Sequence, residues 1–86
     1  MVEDALTNVK AALEEMRNDT TLPKNVKAKI GVTLDLLNQE HVELSLRINK
    51  ALHTLDELVD ESNLEPFVRT QIWNIVSLLE MIGSKL

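Results

Sequence analysis

Residues 12–39 read ALEEMRNDTTLPKNVKAKIGVTLDLLNQ, and residues 54–81 read TLDELVDESNLEPFVRTQIWNIVSLLEM. The two stretches align without a gap at a shift of 42 positions. Seven of the 28 positions are identical: Leu13/Leu55, Glu15/Glu57, Leu22/Leu64, Val26/Val68, Ile30/Ile72, Leu36/Leu78 and Leu37/Leu79. Met16/Leu58, Thr20/Ser62, Lys27/Arg69 and Leu34/Val76 are conservative matches. A repeat of this length that carries two apolar stripes and one turn is a helical hairpin. Two copies of it predict the architecture of the whole chain.

The periodicity predicts four helices. The first spans about Val2–Arg17, with Ala5, Leu6, Val9, Ala12, Leu13 and Met16 recurring at spacings of three and four. Asn18-Asp19-Thr20-Thr21 interrupts it with side chains that bond their own backbone. Pro23 fits the first turn of the second helix, where its missing N–H costs nothing. Val26, Ile30, Thr33, Leu34 and Leu37 form the inner stripe there. Asn38-Gln39-Glu40 links the copies. A third helix is expected from about His41 to Asp60, with Leu44, Ile48, Ala51, Leu52, Leu55, Leu58 and Val59 inward. Glu61-Ser62-Asn63 makes the next turn, and Pro66 opens the fourth helix. Val68, Ile72, Ile75, Val76, Leu79 and Ile82 are its inner face, with Gly83 as its expected C-cap. No segment alternates with period two, so no strand is expected.

Short links between such helices imply antiparallel neighbours. The predicted fold is all-α: an antiparallel up-and-down four-helix bundle. It is one domain over residues 1–86, built from a hairpin over about 2–38 and another over about 41–83. Two repeats are fewer than a solenoid generally needs, which favours closure into a bundle.

Composition narrows the function classes. Fourteen acids against nine bases give a formal charge of −5. Nucleic acids and anionic membranes both select a basic footprint, so neither is an expected partner. No apolar run approaches the roughly 18 residues that span a bilayer. The first residues show no basic-then-apolar leader, which predicts a cytoplasmic protein. There is no cysteine and no Cys/His cluster, so neither disulfides nor structural zinc can reinforce the fold.

The chemistry search finds no catalytic, cofactor or metal residues to name. Tyrosine and cysteine are absent, Ser45, Ser62, Ser77 and Ser84 lie in no nucleophile elbow, and Gly31 and Gly83 form no phosphate loop. His41 and His53, read as two positions on one helix, point about 120° apart and cannot share an ion. Ordinary boundary residues are the simpler reading. Lys24, Lys27 and Lys29 make a brief basic patch, read as solvated charge. Asp56, Glu57, Asp60, Glu61 and Glu65 make a denser acidic one. The second set is a candidate weak divalent-cation site, although its spacing matches no calcium loop. The plainer reading is screening against Lys24, Lys27 and Arg69 across one end of the bundle, with Asp60 and Glu61 helping the N–H groups of the fourth helix as Asp19 helps those of the second. The apolar stripes are read as core rather than as a ligand cavity.

Trp73 is the only tryptophan, and it aligns with Gly31 in the other copy. On a wheel of 100° per residue it falls near 140° from Val68, outside the inner arc and close to Arg69 and Ser77. Phe67, Leu78 and Met81 widen the apolar arc on the other flank. Trp73 is either a lid over a helix seam or an anchor in an interface, where tryptophan is enriched. Phe67, Arg69, Trp73, Ser77, Leu78 and Met81 are therefore a candidate interface for a protein partner or a homodimer.

Two runs carry a resemblance. Asn18-Asp19-Thr20-Thr21-Leu22-Pro23-Lys24-Asn25-Val26-Lys27 and Arg69-Thr70-Gln71-Ile72-Trp73-Asn74-Ile75-Val76-Ser77 resemble a family of small archaeal proteins of uncharacterised function. The Ile-Trp-Asn-Ile-Val run is the more specific part, and the resemblance covers nearly the whole chain. It implies an up-and-down four-helix bundle, grouped by fold with bromodomain-like bundles, and an archaeal, cytoplasmic origin. It implies no activity, cofactor or catalytic residue. A bromodomain pocket needs a long loop between its first two helices, and the Asn18–Leu22 turn is short, so acetyl-lysine binding is not implied. Taken together, these features lead to the expectation of a non-enzymatic helical interaction module. The alternative is a small-ligand or weak cation-binding protein that uses the acidic end.

Overall fold

The structure, a computed structural model, describes residues 2–61 and 64–86, with only the backbone of Glu61. Four helices follow in order: α1 Val2–Arg17, α2 Lys24–Leu37, α3 Leu44–Glu61 and α4 Pro66–Ser84. Among the described residues there is no strand. Each helix packs on its two neighbours: α1 on α2, α2 on α3, α3 on α4, and α4 back on α1. The α1–α4 contact closes the bundle, as the two-hairpin reading requires. The molecule measures 33 × 21 × 21 Å.

The repeat is visible as burial. Leu13 and Leu55, Val26 and Val68, Ile30 and Ile72, and Leu37 and Leu79 are all buried in one apolar cluster. Leu22 and Leu64 do the same work from the turns, each packing under the helix that follows. Thr33 and Ile75 occupy equivalent core positions. The threonine is tolerated because its hydroxyl donates to the carbonyl of Lys29 at 2.9 Å. Thr54, which the sequence pattern does not place inside, is buried in the same way, with its hydroxyl on the carbonyl of Lys50.

Three boundaries differ from the sequence reading. Helix α3 starts at Leu44, not near His41, so the second hairpin runs from Leu44 to Ser84. The first two turns explain why. In the first, the N–H groups of Asn18, Asp19, Leu22 and Lys27 donate to the carbonyls of Glu14, Met16, Asp19 and Pro23. In the second, those of Asn38, Gln39, Val42 and Arg47 donate to Leu34, Leu36, Gln39 and Glu43. Every donor and acceptor is displaced by 20 residues. The six residues 38–43 therefore form the same turn as 18–23, and His41 lies outside any helix. The helical wheel that separated His41 from His53 does not apply.

Pro23 is the residue before α2 rather than part of its first turn. Its carbonyl accepts from Lys27, so it serves as the cap residue. Gly83 is not a C-cap. It has no positive φ and sits inside the last turn of α4, which ends at Ser84. A Cβ placed there would meet Ile48 Cγ2 at 3.7 Å, an ordinary contact, so no steric need for glycine is visible. The expected turn residues Ser62 and Asn63 lie outside the described residues.

Candidate contact surface on the fourth helix

Helix α4 differs from the others in charge. It carries two charged side chains in 19 residues, Arg69 and Glu80. Helices α1 and α3 each carry six, in 16 and 18 residues. Its inner face is fully used: Val68, Ile72, Ile75, Val76, Leu79 and Ile82 are buried. Its outer side is not polar in compensation. Phe67 is 71% exposed, Met81 48%, Trp73 46% and Leu78 36%. Thr70, Asn74 and Ser77 lie exposed among them, and Arg69 is half-buried. The six residues of the candidate interface thus share the outward half of one helix, in two flanks. Leu78 and Met81 border the groove against α1, beside Ala12, Met16 and Val2. Trp73 and Arg69 lie on the other flank by helical geometry.

Trp73 is not the covered lid of a seam. Nearly half of its surface is in solvent, on a flank that by helical geometry also carries Arg69 and Glu80. The helical wheel set it outside the inner arc and left a covered lid and an exposed position both open; the structure shows the exposed one.

The acidic end resolves into separate groups. Asp56, Asp60 and Glu65 are exposed, and the side chain of Glu61 lies outside the described residues. Glu57 is half-buried. Lys29 Nζ stands 3.7 Å from it across the α2–α3 contact, and His53 Nε2 stands 3.9 Å away on the same helix. Lys29 therefore makes the cross-helix ion pair, where Lys24, Lys27 and Arg69 were expected to. Among the described residues no group of three or more His, Asp or Glu is arranged to hold a metal ion. The first and third turns do meet at one end, as the topology requires. Thr21, Leu22, Pro23, Leu64, Glu65 and Val68 line a cleft of about 220 Å³ there, below the usual size of a small-molecule site.

Asp19 does not cap α2. Its carboxylate accepts from the N–H of Thr21 at 2.8 Å and from the Thr21 hydroxyl at 2.6 Å, which stiffens the turn itself. Those two bonds favour the charged form and hold its pKa below the ordinary value, with Lys27 adding a smaller attraction. Neither α2 nor α4 has a side-chain cap bond at its N-terminus. Arg47 has a role that no sequence pattern announces. Its guanidinium donates to the carbonyl of Leu37 at the end of α2 and to that of Val42 in the turn, both at 2.9 Å. It closes two carbonyls that the helix and turn leave open. The signal in sequence is only an arginine one turn into a helix.

No described helix is long and apolar enough to cross a membrane. Comparison with known proteins supplies relatives and no activity. The family model described as an uncharacterised protein family, UPF0147, matches residues 1–82. The UPF0147 protein MJ1419 of Methanocaldococcus jannaschii is 39% identical over 80 residues, 93% of this chain and 86% of that one. A UPF0147 protein of Thermoplasma volcanium is 34% identical over 83 residues, 96% of this chain and 93% of its own length. A crystal structure of the unknown-function protein MMP1188 superimposes with a TM-score of 0.86 at 40% identity. The match covers 91% of this chain and 89% of that one. The four-helix bundle is thus shared with that solved structure. On a family match that spans almost its whole length, this chain belongs to the uncharacterised protein family UPF0147.

Proposed function

We propose that the protein is a non-enzymatic interaction module whose working surface is the outward side of α4. One observation carries this: α4 exposes four large apolar side chains, Phe67, Trp73, Leu78 and Met81, on a helix with two charges, while α2 and α3 expose one each, Val32 and Leu46, among more charges. Apolar exposure concentrated on one weakly charged helix marks contact sites in soluble proteins, and tryptophan is enriched among binding hot spots. The two buried hydroxyls, Thr33 and Thr54, are committed to helix carbonyls, so neither is poised as a nucleophile. The acids at the far end are spread or paired with Lys29, which gives the cation-binding alternative no support among the described residues.

The test is site-specific photo-crosslinking in the native cell. A photoreactive amino acid replaces Ser77 on α4 in one strain and the exposed Asp35 on α2 in another. The proposal expects discrete adducts from position 77 and none above background from position 35. Equal or absent labelling at the two positions would overturn it.

A further inference from the structure

The outward side of α4 is complementary to itself when reversed end for end. Arg69, Trp73, Ser77 and Glu80 fall within about 80° of one another on the helix. Arg69 and Glu80 are its two charges, roughly 16 Å apart along the axis, with Trp73 and Ser77 between them. The midpoint lies between Asn74 and Ile75. A second α4 laid antiparallel, related by a two-fold axis at that midpoint, brings Arg69 of each copy level with Glu80 of the other. The same operation sets Trp73 beside the other copy's Ser77, a large side chain against a small one, and Thr70 near the other copy's Met81. Every contact occurs twice, which is the signature of an isologous interface. Building on the reading of α4 as a contact face, we propose that its occupant is a second copy of this chain, paired antiparallel through α4.

Charge supports this occupant over others. The whole net charge of −5 lies outside α4, whose two charges cancel. In a two-fold pairing each helix meets its own copy, so α1, α2 or α3 would set net charges of like sign together, and α4 is where two copies meet without that cost. An unrelated partner would have no reason to match the spacing of Arg69 to Glu80, whereas a second copy matches it by construction. A stable interface takes roughly 800 Å² from each partner, about 15% of this chain's 5448 Å².

Sedimentation velocity at low ionic strength tests the pairing, because the predicted salt links are screened by added salt. The wild-type chain is expected to sediment as twice its 9.7 kDa mass at tens of micromolar and to dissociate on dilution. Arg69→Glu sets like charges level across the axis and should weaken the dimer at least tenfold, and Glu80→Arg should do the same. Mixing the two variants in equal amounts should restore the dimer, since an all-acidic face then meets an all-basic one. Circular dichroism checks that each variant retains its helices. Ser77→Trp, at an exposed site that the fold does not use, should also abolish pairing by filling the place of the other copy's Trp73. A wild-type chain that stays at 9.7 kDa throughout would overturn the proposal. So would single variants that pair as well as wild type, or a mixture that fails to recover. A monomer whose position 77 still crosslinks to a different protein in cells would reject self-pairing and leave the contact-face reading standing. Loss of both signals would reject both.

Discussion

Arg47 shows how one side chain can hold two segments of backbone. It bridges the last turn of α2 and the turn that follows, through carbonyls at Leu37 and Val42. Hydrogen bonds from charged donors contribute more than neutral ones, but this side chain is only part-buried. Arg47→Ala is expected to cost about 1–2 kcal/mol, read from urea unfolding, with Arg47→Lys recovering part of it. An unchanged midpoint would mean that water replaces the guanidinium without loss. Asp19 makes a prediction with a sign. Its folded pKa lies below 3.8 because it accepts twice from Thr21. The folded state therefore holds a proton on Asp19 less tightly than the unfolded chain does. Its stabilisation is present above about pH 4 and is lost as the pH falls through the lower folded value. Asp19→Asn should flatten the acid limb of a plot of melting temperature against pH. Superimposable limbs for the two proteins would rule the effect out.

At the scale of elements, the helices were legible because their apolar residues recur at three and four over 14–19 residues. The apolar core positions followed from the same stripes, as did the place of Trp73 outside the inner arc; the burial of Thr54 did not, nor whether Trp73 lay covered over a seam. The start of α3 was not legible. His41-Val42-Glu43 contains neither Gly nor Pro and reads as helix, yet it folds as the turn that Thr21-Leu22-Pro23 makes one unit earlier. The trace of that 20-residue shift is thin, Asn18 against Asn38 and Leu22 against Val42, and it is masked by the stronger match at 42. Gly83 misled in the opposite way, because a glycine near a helix end usually marks a cap and here does not. Gly31 offers a cleaner test of such a site. It lies inside α2 with no positive φ, and an added Cβ would meet only the flexible Arg17 Cδ at 3.7 Å. Gly31→Ala should stabilise the protein by about 0.4–1 kcal/mol through the unfolded chain and through helix propensity. Destabilisation would show that α1 and α2 need that close approach.

For the molecule as a whole, the repeat predicts equal penalties at equivalent places. Ile30 and Ile72 are both fully buried, one in each hairpin. Ile30→Ala and Ile72→Ala should each cost about 2–5 kcal/mol. A domain of this size has about 4–13 kcal/mol of stability in all, so either change removes a large part of it. A several-fold difference between the two would mean that the hairpins are not energetic equivalents. Stability so small is one physical reason for a second copy to matter, since association adds to the stability of the folded chain by mass action. The helical wheel already sets Phe67, Trp73, Leu78 and Met81 outside the inner arc of the fourth helix; burial adds that all four are exposed on a helix with two charges. If this α4 face pairs with a second copy, Trp73 reports on the pairing directly, because it lies on that face and is the chain's one tryptophan. The measurement is acrylamide quenching of its fluorescence from low micromolar to several hundred micromolar protein. The account predicts that quencher access falls and the emission shifts to the blue as concentration rises, with Arg69→Glu abolishing both changes. Access that stays constant over the whole range would contradict it.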